Sequence, residues 1–400
     1  MPDIGTAATD IISNEPVELS IVLPCLNEAE TIEQCVGVAV KCLRDNKISG
    51  EVLVGDNGST DGSQDMARRA GARVVDIPQR GYGAALMGAV EASHGRFIVM
   101  ADADMSYDFA ASVEFLEKLR EGNDLVMGNR FKGGIMPGAM PFKNRWLGNP
   151  VLTSIGRIIY SSPIADFHSG MRGFTRAAYD AMNLRTTGME FASEMVVKAT
   201  VMKMKLAEVP IVLHPDGRSR PPHLKPWSDG WRHLRFLLLL SPRWTLVYPG
   251  VILTLVGLAI GLPLLMGFSQ LGRIRLGPHT LAASGFMIMV GYTAITVGIA
   301  ARIYTMQEEL GPPSSATLNR WFQLITLERG LIAGALMLVA GFLVAGWVVV
   351  RWWQTGFGPL PLESTIRPML VGGFLVAIGF QTVLMSFFYS MLGLSVRDRG

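Results

Sequence analysis

The chain has 400 residues, 36 of them basic and 33 acidic, for a net charge of +3. Only 14 of those 69 charges fall after residue 244 and the last lysine is Lys225, which excludes a string of two or three soluble domains and divides the chain into a water-soluble half and a lipid-embedded half. The first half balances 27 basic against 28 acidic residues, which excludes a general nucleic-acid binder.

Residues 1–17 read as a disordered tail. They carry neither a basic start nor an apolar run, so no signal peptide is expected and the first half is expected to stay in the cytoplasm. The apolar run 19–24 reads as a buried parallel strand, after which Asn27 and Glu28 open a helical pattern to about Leu43. A second strand, 51–55, ends in the polar loop Asp56-Asn57-Gly58-Ser59-Thr60-Asp61-Gly62 and is followed by a helix over 64–70. A third strand, 73–77, precedes Arg80-Gly81-Tyr82-Gly83 and a helix over 84–93, and a fourth, 96–101, runs directly into Asp102-Ala103-Asp104. Strands alternating with helices predict an α/β fold with a mostly parallel, doubly wound sheet, in which ligands bind at the carboxyl ends of the strands. Asp56, Gly81 and Asp102 all fall at that edge.

Two carboxylates two residues apart after an apolar strand suit one hard divalent cation, Mg2+ or Mn2+, that also takes diphosphate oxygens. Candidate anion ligands follow: Arg130 after a strand over 124–128, Arg145 in Pro141-Phe142-Lys143-Asn144-Arg145, Arg172 after Asp166-Phe167-His168-Ser169-Gly170, then Arg218, Arg220 and Lys225. A guanidinium pairs bidentately with phosphate oxygens, so the group predicts an anion pocket around a metal–diphosphate site. Cys25, Cys35 and Cys42 lack metal spacing and read as free thiols, and the six histidines are too dispersed for a zinc site.

Four charge-free windows, 244–272, 276–301, 330–350 and 368–396, each exceed the length needed to cross a bilayer; spans are expected at about 245–268, 279–301, 330–351 and 368–392. Eleven Lys and Arg residues flank these spans on one side (from Arg218 to Arg243, then Arg302, Arg320, Arg329, Arg397 and Arg399) against four on the other (Arg273, Arg275, Arg351 and Arg367). That bias places both termini and the first half on the cytoplasmic face of the plasma (inner) membrane. Between the halves, residues 216–243 read as a basic juxtamembrane segment, in which Trp227, Trp231 and Leu234 recur at helical spacing. A second amphipathic helix is expected over about 315–328, and both suit the headgroup layer. Four spans are compatible with a homo-oligomer.

The ordered motifs resemble family 2 glycosyltransferases, most of all the polyprenyl-phosphate glycosyltransferases related to dolichyl-phosphate mannose and glucose synthases. The resemblance runs from about residue 18 to 240 and rests on Val22-Leu23-Pro24-Cys25-Leu26-Asn27-Glu28, Asp56 to Gly62, Arg80 to Gly83, Asp102-Ala103-Asp104, Gly128-Asn129-Arg130-Phe131, Asp166 to Arg172 and Glu208-Val209-Pro210. It implies a GT-A catalytic domain over 18–215. It also implies inverting transfer of a hexose from a nucleotide-diphosphate sugar, UDP-glucose first and GDP-mannose second, to a polyprenyl phosphate at the bilayer. By position, Pro24, Asn27, Glu28, Asp56, Arg80, Gly81, Asp102 and Ala103 would hold the nucleotide. Asp102 and Asp104 would hold the metal, with Ser106 a candidate third ligand. Arg130 and Arg145 would bind phosphates and, with Asp104, serve catalysis, while Asn149, Ser169, Arg172, Arg218 and Arg220 would line the diphosphate and lipid-phosphate side. Asn57 stands where many members have an aspartate and Tyr82 where a lysine is common.

Two other readings are weaker. A processive polysaccharide synthase carries Gln-x-x-Arg-Trp, but here Phe142, Leu240 and Thr317 precede the three Arg-Trp pairs. A non-catalytic lipid-linked-sugar module would not need Asp102 and Asp104, and the spans hold no acid or base for a transport path.

Overall fold

Leu19, Ile21, Val22 and Leu23 are fully buried, as a central parallel strand covered on both faces requires. The computed structural model describes residues 16–219, 226–268, 270–271, 274–307 and 326–397. The N-terminal tail up to residue 15, Arg220 and nearly all of the helix expected at 315–328 lie outside the described residues. The chain forms two compact units that divide between Leu237 and Leu238.

In the first unit the elements run β1 (Leu19–Cys25), α1 (Ile32–Asp45), β2 (Gly50–Asp56), α2 (Ser63–Arg69), β3 (Arg73–Asp76), α3 (Tyr82–Ala92), β4 (Phe97–Met100), α4 (Ser112–Arg120) and β5 (Leu125–Asn129). They continue with α5 (Arg130–Gly133), a π-helical turn (Asn144–Gly148), α6 (Asn149–Tyr160), β6 (Arg172–Thr175), α7 (Arg176–Met182), α8 (Phe191–Val201), β7 (Leu206–Pro210) and α9 (Pro226–Leu239). The seven strands make one sheet in the order β3-β2-β1-β4-β6-β5-β7. All neighbours are parallel except β6, which is antiparallel to β4 and β5. This is an α/β sheet of the GT-A type.

Register explains which residues meet. Cys25 pairs with Asp56 and Val22 with Met100, so the loops after β1, β2 and β4 leave from one edge. Because β6 runs backwards, Arg172 pairs with Met100, and the loop that precedes it arrives at that same edge. Asn129 pairs with Pro210, which places Arg130 there too.

Pro226–Leu239, where Trp227, Trp231 and Leu234 recur at helical spacing, forms α9, which has two faces. Trp227 and Trp231 are exposed, Leu234 is half-buried, and Asp229, His233 and Leu237 are buried. His233 Nδ1 lies 2.8 Å from Ser193 Oγ, its ring meets that of His168 edge-on at 4.7 Å, and Tyr160 donates to the Leu237 carbonyl at 2.7 Å. Burial, with Arg172 nearby, lowers the His233 pKa to about 4, so this anchor is neutral at physiological pH.

Among its described residues the second unit holds four helices long and apolar enough to cross a membrane, with spans at Arg243–Leu265, Pro278–Met306, Leu327–Gln354 and Ser364–Leu392. They belong to α10 (Tyr248–Leu265), α11 (Pro278–Gln307), α12 (Leu327–Gln354) and α13 (Leu362–Arg397). Glycines let neighbouring helices approach backbone to backbone: a Cβ on Gly334 would lie 2.8 Å from the Gly379 carbonyl oxygen, and one on Gly341 2.8 Å from that of Gly372.

Candidate active site

The loops after β1 and β2 are laced together by short polar side chains. Ser59 Oγ accepts from the Asn27 amide, Ser63 Oγ from that of Glu28, and Asp61 Oδ2 from that of Ala29, while Asn27 Oδ1 accepts from Thr60 N, all at 2.8–2.9 Å. Asn27 takes a left-handed conformation, φ 57°, which asparagine tolerates better than most residues. Asn27, Glu28, Ala29, Glu30, Thr60, Asp61 and Arg218 line a cavity of about 410 Å³.

Asp56 ends β2 almost wholly buried. Its Oδ2 accepts from Gly58 N, Ser59 N and Gln64 Nε2, while Oδ1 has no hydrogen-bond partner among the described residues. Burial pushes the carboxyl up, but the Ser59, Gln64 and Gly58 donors outweigh it and hold the pKa below the usual range, so Asp56 is ionised with one oxygen to spare. Next to it, Asn57 donates from Nδ2 to the carbonyls of Ile77 and Gln79 and accepts at Oδ1 from Gly81 N. An aspartate could not make the two donations, so the asparagine shapes the loop that carries Arg80 and Gly81. Gly81 (φ 142°) packs so closely that a Cβ would lie 2.1 Å from the Thr187 carbonyl oxygen. Arg80 is exposed and Pro24 half-buried.

Asp102 and Asp104 follow β4. Tyr82 donates to Asp102 Oδ1 at 2.9 Å, the place of the lysine common in the family being taken by a neutral donor. Burial and then the neighbouring Asp104 charge raise the Asp102 pKa, only partly offset by Tyr82 and Arg218, so Asp102 is short of positive charge. Asp104 Oδ1 accepts from Ser106 N at 3.0 Å and from Ser106 Oγ, so Ser106 here orients Asp104. Arg218 spans the site, with Nη2 3.3 Å from Asp104 Oδ2 and Nε 2.8 Å from Glu28 Oε2. Thr31 Oγ1 donates to the Ala103 carbonyl at 2.7 Å and ties α1 to the acidic loop. Gly170 closes the other side. Its amide donates to Tyr107 Oη at 2.8 Å, and a Cβ there would come within 2.4 Å of Asp102 Oδ2.

The arginines divide into three roles. Arg130 is buried and makes a fork with Asp166, Nε to Oδ2 and Nη2 to Oδ1 at 2.7 Å each, while its amide also donates to Oδ2. Burial opposes its charge, but Tyr107, Asp166 and Asp102 together raise its pKa further. Arg172 departs from the expectation of a phosphate ligand. It is fully buried, and Nε, Nη1 and Nη2 donate to the carbonyls of Ser169, Ala192 and Phe167, so it holds the loop around Gly170 in place. Ser169 is buried with Oγ unpartnered among the described residues, and Asn149 Nδ2 points to Met140 Sδ at 3.4 Å. Arg145 lies on the π-helical turn, with its guanidinium 5.5 Å from the Trp146 ring centre.

Residue-type patterns did not reveal Tyr82, Tyr107 and Gly170 as parts of this site, nor that Asp166 neutralises Arg130. Asp166 and Gly170 do stand in the motif that ends at Arg172, which was the available signal.

The hexosyltransferase Agl6 of low-salt glycan biosynthesis in Haloferax volcanii is 36% identical over 377 residues, 94% of this chain and 89% of that protein. The chain belongs to glycosyltransferase family 2. Residues 20–182 of this glycosyltransferase match the profile of glycosyl transferase family 2, and residues 299–393 that of the glycosyltransferase family 2 C-terminal transmembrane region. It is a membrane enzyme. A dolichyl-phosphate hexose transferase of the same archaeon is 30% identical over 196 residues, 48% of this chain and 82% of that protein. A glucosyl-3-phosphoglycerate synthase structure from Mycobacterium tuberculosis, in complex with Mn2+, UDP and product, overlays 56% of this chain and 77% of its own at 23% identity and a TM-score of 0.44.

Proposed function

We propose that this enzyme transfers a hexose, with inversion, from a nucleotide-diphosphate sugar to the phosphate of a polyprenyl phosphate at the cytoplasmic membrane face. The observation that carries the reading is the meeting, at one sheet edge, of an ionised Asp56, whose buried Oδ1 has no hydrogen-bond partner among the described residues, and the two neighbouring carboxylates of Asp102 and Asp104. A carboxylate oxygen accepts the ring N–H of uracil or guanine, which adenine and cytosine lack at their pairing edges. UDP-glucose is the first candidate donor and GDP-mannose the second.

Among the described residues no cluster of three or more His, Cys, Asp and Glu side chains could cage a metal. Two carboxylates fit Mg2+ or Mn2+, which are commonly bound by one or two carboxylates together with waters and substrate phosphates. Asp102 and Asp104 would hold such an ion, and it would supply charge neutralisation for the departing nucleoside diphosphate.

The rest falls to the chain. A phosphate monoester with its second pKa near 6 is largely dianionic at neutral pH, so the acceptor needs little help from a general base. Bringing two polyanions together is the harder task, and guanidinium groups perform it by alignment and charge. Arg130 is positioned for this by Asp166 and Arg145 by its helical turn, while Arg218 can turn from the acids to the diphosphate.

The surface around Arg145 supports a membrane-bound acceptor. Phe142 is 77% exposed and Trp146 63%, and Leu147, Val151 and Ile158 continue as an exposed stripe along α6. Aromatic, apolar and basic residues together on one surface suit the headgroup layer. Agl6 and the dolichyl-phosphate hexose transferase, by their names, move hexoses, the second onto a lipid phosphate. The test is a donor screen with purified enzyme and undecaprenyl or dolichyl phosphate, scored by the mass of the lipid. A lipid heavier by one hexose supports the reading, and hexose released to water with every donor overturns it.

A further inference from the structure

Both carboxylate oxygens of Asp104 are engaged by the chain itself. Oδ1 accepts from Ser106 N at 3.0 Å and from Ser106 Oγ, and Oδ2 lies 3.3 Å from Arg218 Nη2. A divalent ion shared by Asp102 and Asp104 therefore requires one of these partners to leave. Ser106 is badly placed to do so. It sits two residues along the same turn, and one of its bonds comes from a backbone amide. That turn is also pinned from outside: the Ser106 and Asp104 carbonyls accept from His214 N at 3.0 Å and Gly217 N at 2.9 Å. Arg218 makes the longer contact and makes it from the end of a flexible side chain.

The surroundings of Arg218 let it release Asp104 without leaving the site. Its Nε stays 2.8 Å from Glu28 Oε2, and Ser219 ties the same segment to Glu30, with N and Oγ donating at 2.6 and 2.5 Å. The guanidinium is thus held at the cavity lined by Asn27, Glu28, Thr60 and Asp61. Burial disfavours its charge, but Asp104, Glu28 and Asp102 outweigh this and raise its pKa. Resting on the assignment of Asp102 and Asp104 to a divalent ion, we propose that Arg218 is a built-in stand-in for that ion, which keeps Asp104 neutralised until the donor's diphosphate arrives. A metal ion alone would push the guanidinium off Asp104 and leave two cations side by side. A nucleoside diphosphate removes that conflict, because its oxygens take the displaced guanidinium in charge-assisted hydrogen bonds. Metal and nucleotide consequently bind as a coupled pair, each raising the affinity for the other.

The test is Mn2+ binding to full-length enzyme in detergent, followed by electron paramagnetic resonance with and without UDP. Without UDP, Arg218→Gln should bind Mn2+ about fivefold more tightly than the native enzyme. With UDP it should bind the ion no more tightly than native, so the gain conferred by UDP shrinks. Arg218→Lys keeps a cation at this place and should stay nearer native. Ser219→Ala loosens the segment but keeps the guanidinium, and should leave Mn2+ affinity without UDP unchanged. Unaltered or weaker binding by Arg218→Gln without UDP would overturn the proposal. So would equal tightening with and without UDP, the mark of a distant charge effect, or a Ser219→Ala variant that matches Arg218→Gln. Native enzyme that binds no Mn2+ even with UDP would overturn the metal assignment as well, whereas the other results leave that assignment standing.

Discussion

Asp166→Asn isolates what holds Arg130 in the site. The native pair is a two-bond fork between a guanidinium 8% exposed and a carboxylate with no exposure at all. Asparagine keeps one acceptor and turns its NH2 group towards an Arg130 nitrogen, so one bond becomes a donor–donor contact and a buried cation loses its counter-charge. Removing one partner of such a pair costs about 3–5 kcal/mol. For a domain of this size each kcal/mol moves the midpoint by about 2–4 °C, so thermal unfolding of the catalytic unit should start about 6–20 °C lower. Near-UV circular dichroism of the full-length enzyme in detergent would follow it. The paired variant Arg130→Met with Asp166→Leu removes both charges and should recover most of the stability, because well-packed apolar residues commonly replace buried ion pairs without loss. It should nevertheless remain inactive, since Arg130 would serve phosphate as well as structure. A midpoint within about 2 °C of native for Asp166→Asn would refute the claim that Asp166 sustains the Arg130 charge, and an active double variant would refute the phosphate role.

Gly170→Ala should fold but lose most turnover, because its Cβ would displace the Asp102 carboxylate or the Tyr107 ring; unchanged kcat would show that Asp102 has room to spare. Arg145→Ala should raise the KM for lipid phosphate more than that for nucleotide sugar, and equal rises would argue against an acceptor role. Asp56→Asn replaces a pure acceptor by a group that also donates. Calorimetry should then show UDP binding weakened while membrane insertion stays intact, and an unaltered affinity would remove Asp56 from base recognition.

Much of the scaffold is written in local patterns. Continuous apolar runs such as Leu19 to Leu23 mark buried parallel strands, and the four charge-free windows match the four long apolar helices. The acids at strand ends were legible because parallel strands deliver their C-terminal loops to one edge. The antiparallel β6 was not: four residues beginning with an arginine carry no strand signal, and only its pairing with Met100 shows why it is there. The role of Arg172 is hidden in the sequence for a related reason. A guanidinium reads as surface in one dimension, whereas its three carbonyl partners come from separate points of the chain that only the fold assembles. Tyr82 departs from the family's common lysine, and only the fold shows its hydroxyl on Asp102.

In the proposed reaction Asp102 and Asp104 hold a cation jointly with the donor's diphosphate. Mn2+ binding to purified enzyme, followed by electron paramagnetic resonance with and without UDP, tests this most directly. The ion should bind weakly alone and distinctly more tightly with UDP present, and Asp104→Asn should abolish the difference. Equal Mn2+ affinity with and without UDP, or an Asp104→Asn variant that binds the ion as the native enzyme does, would contradict it.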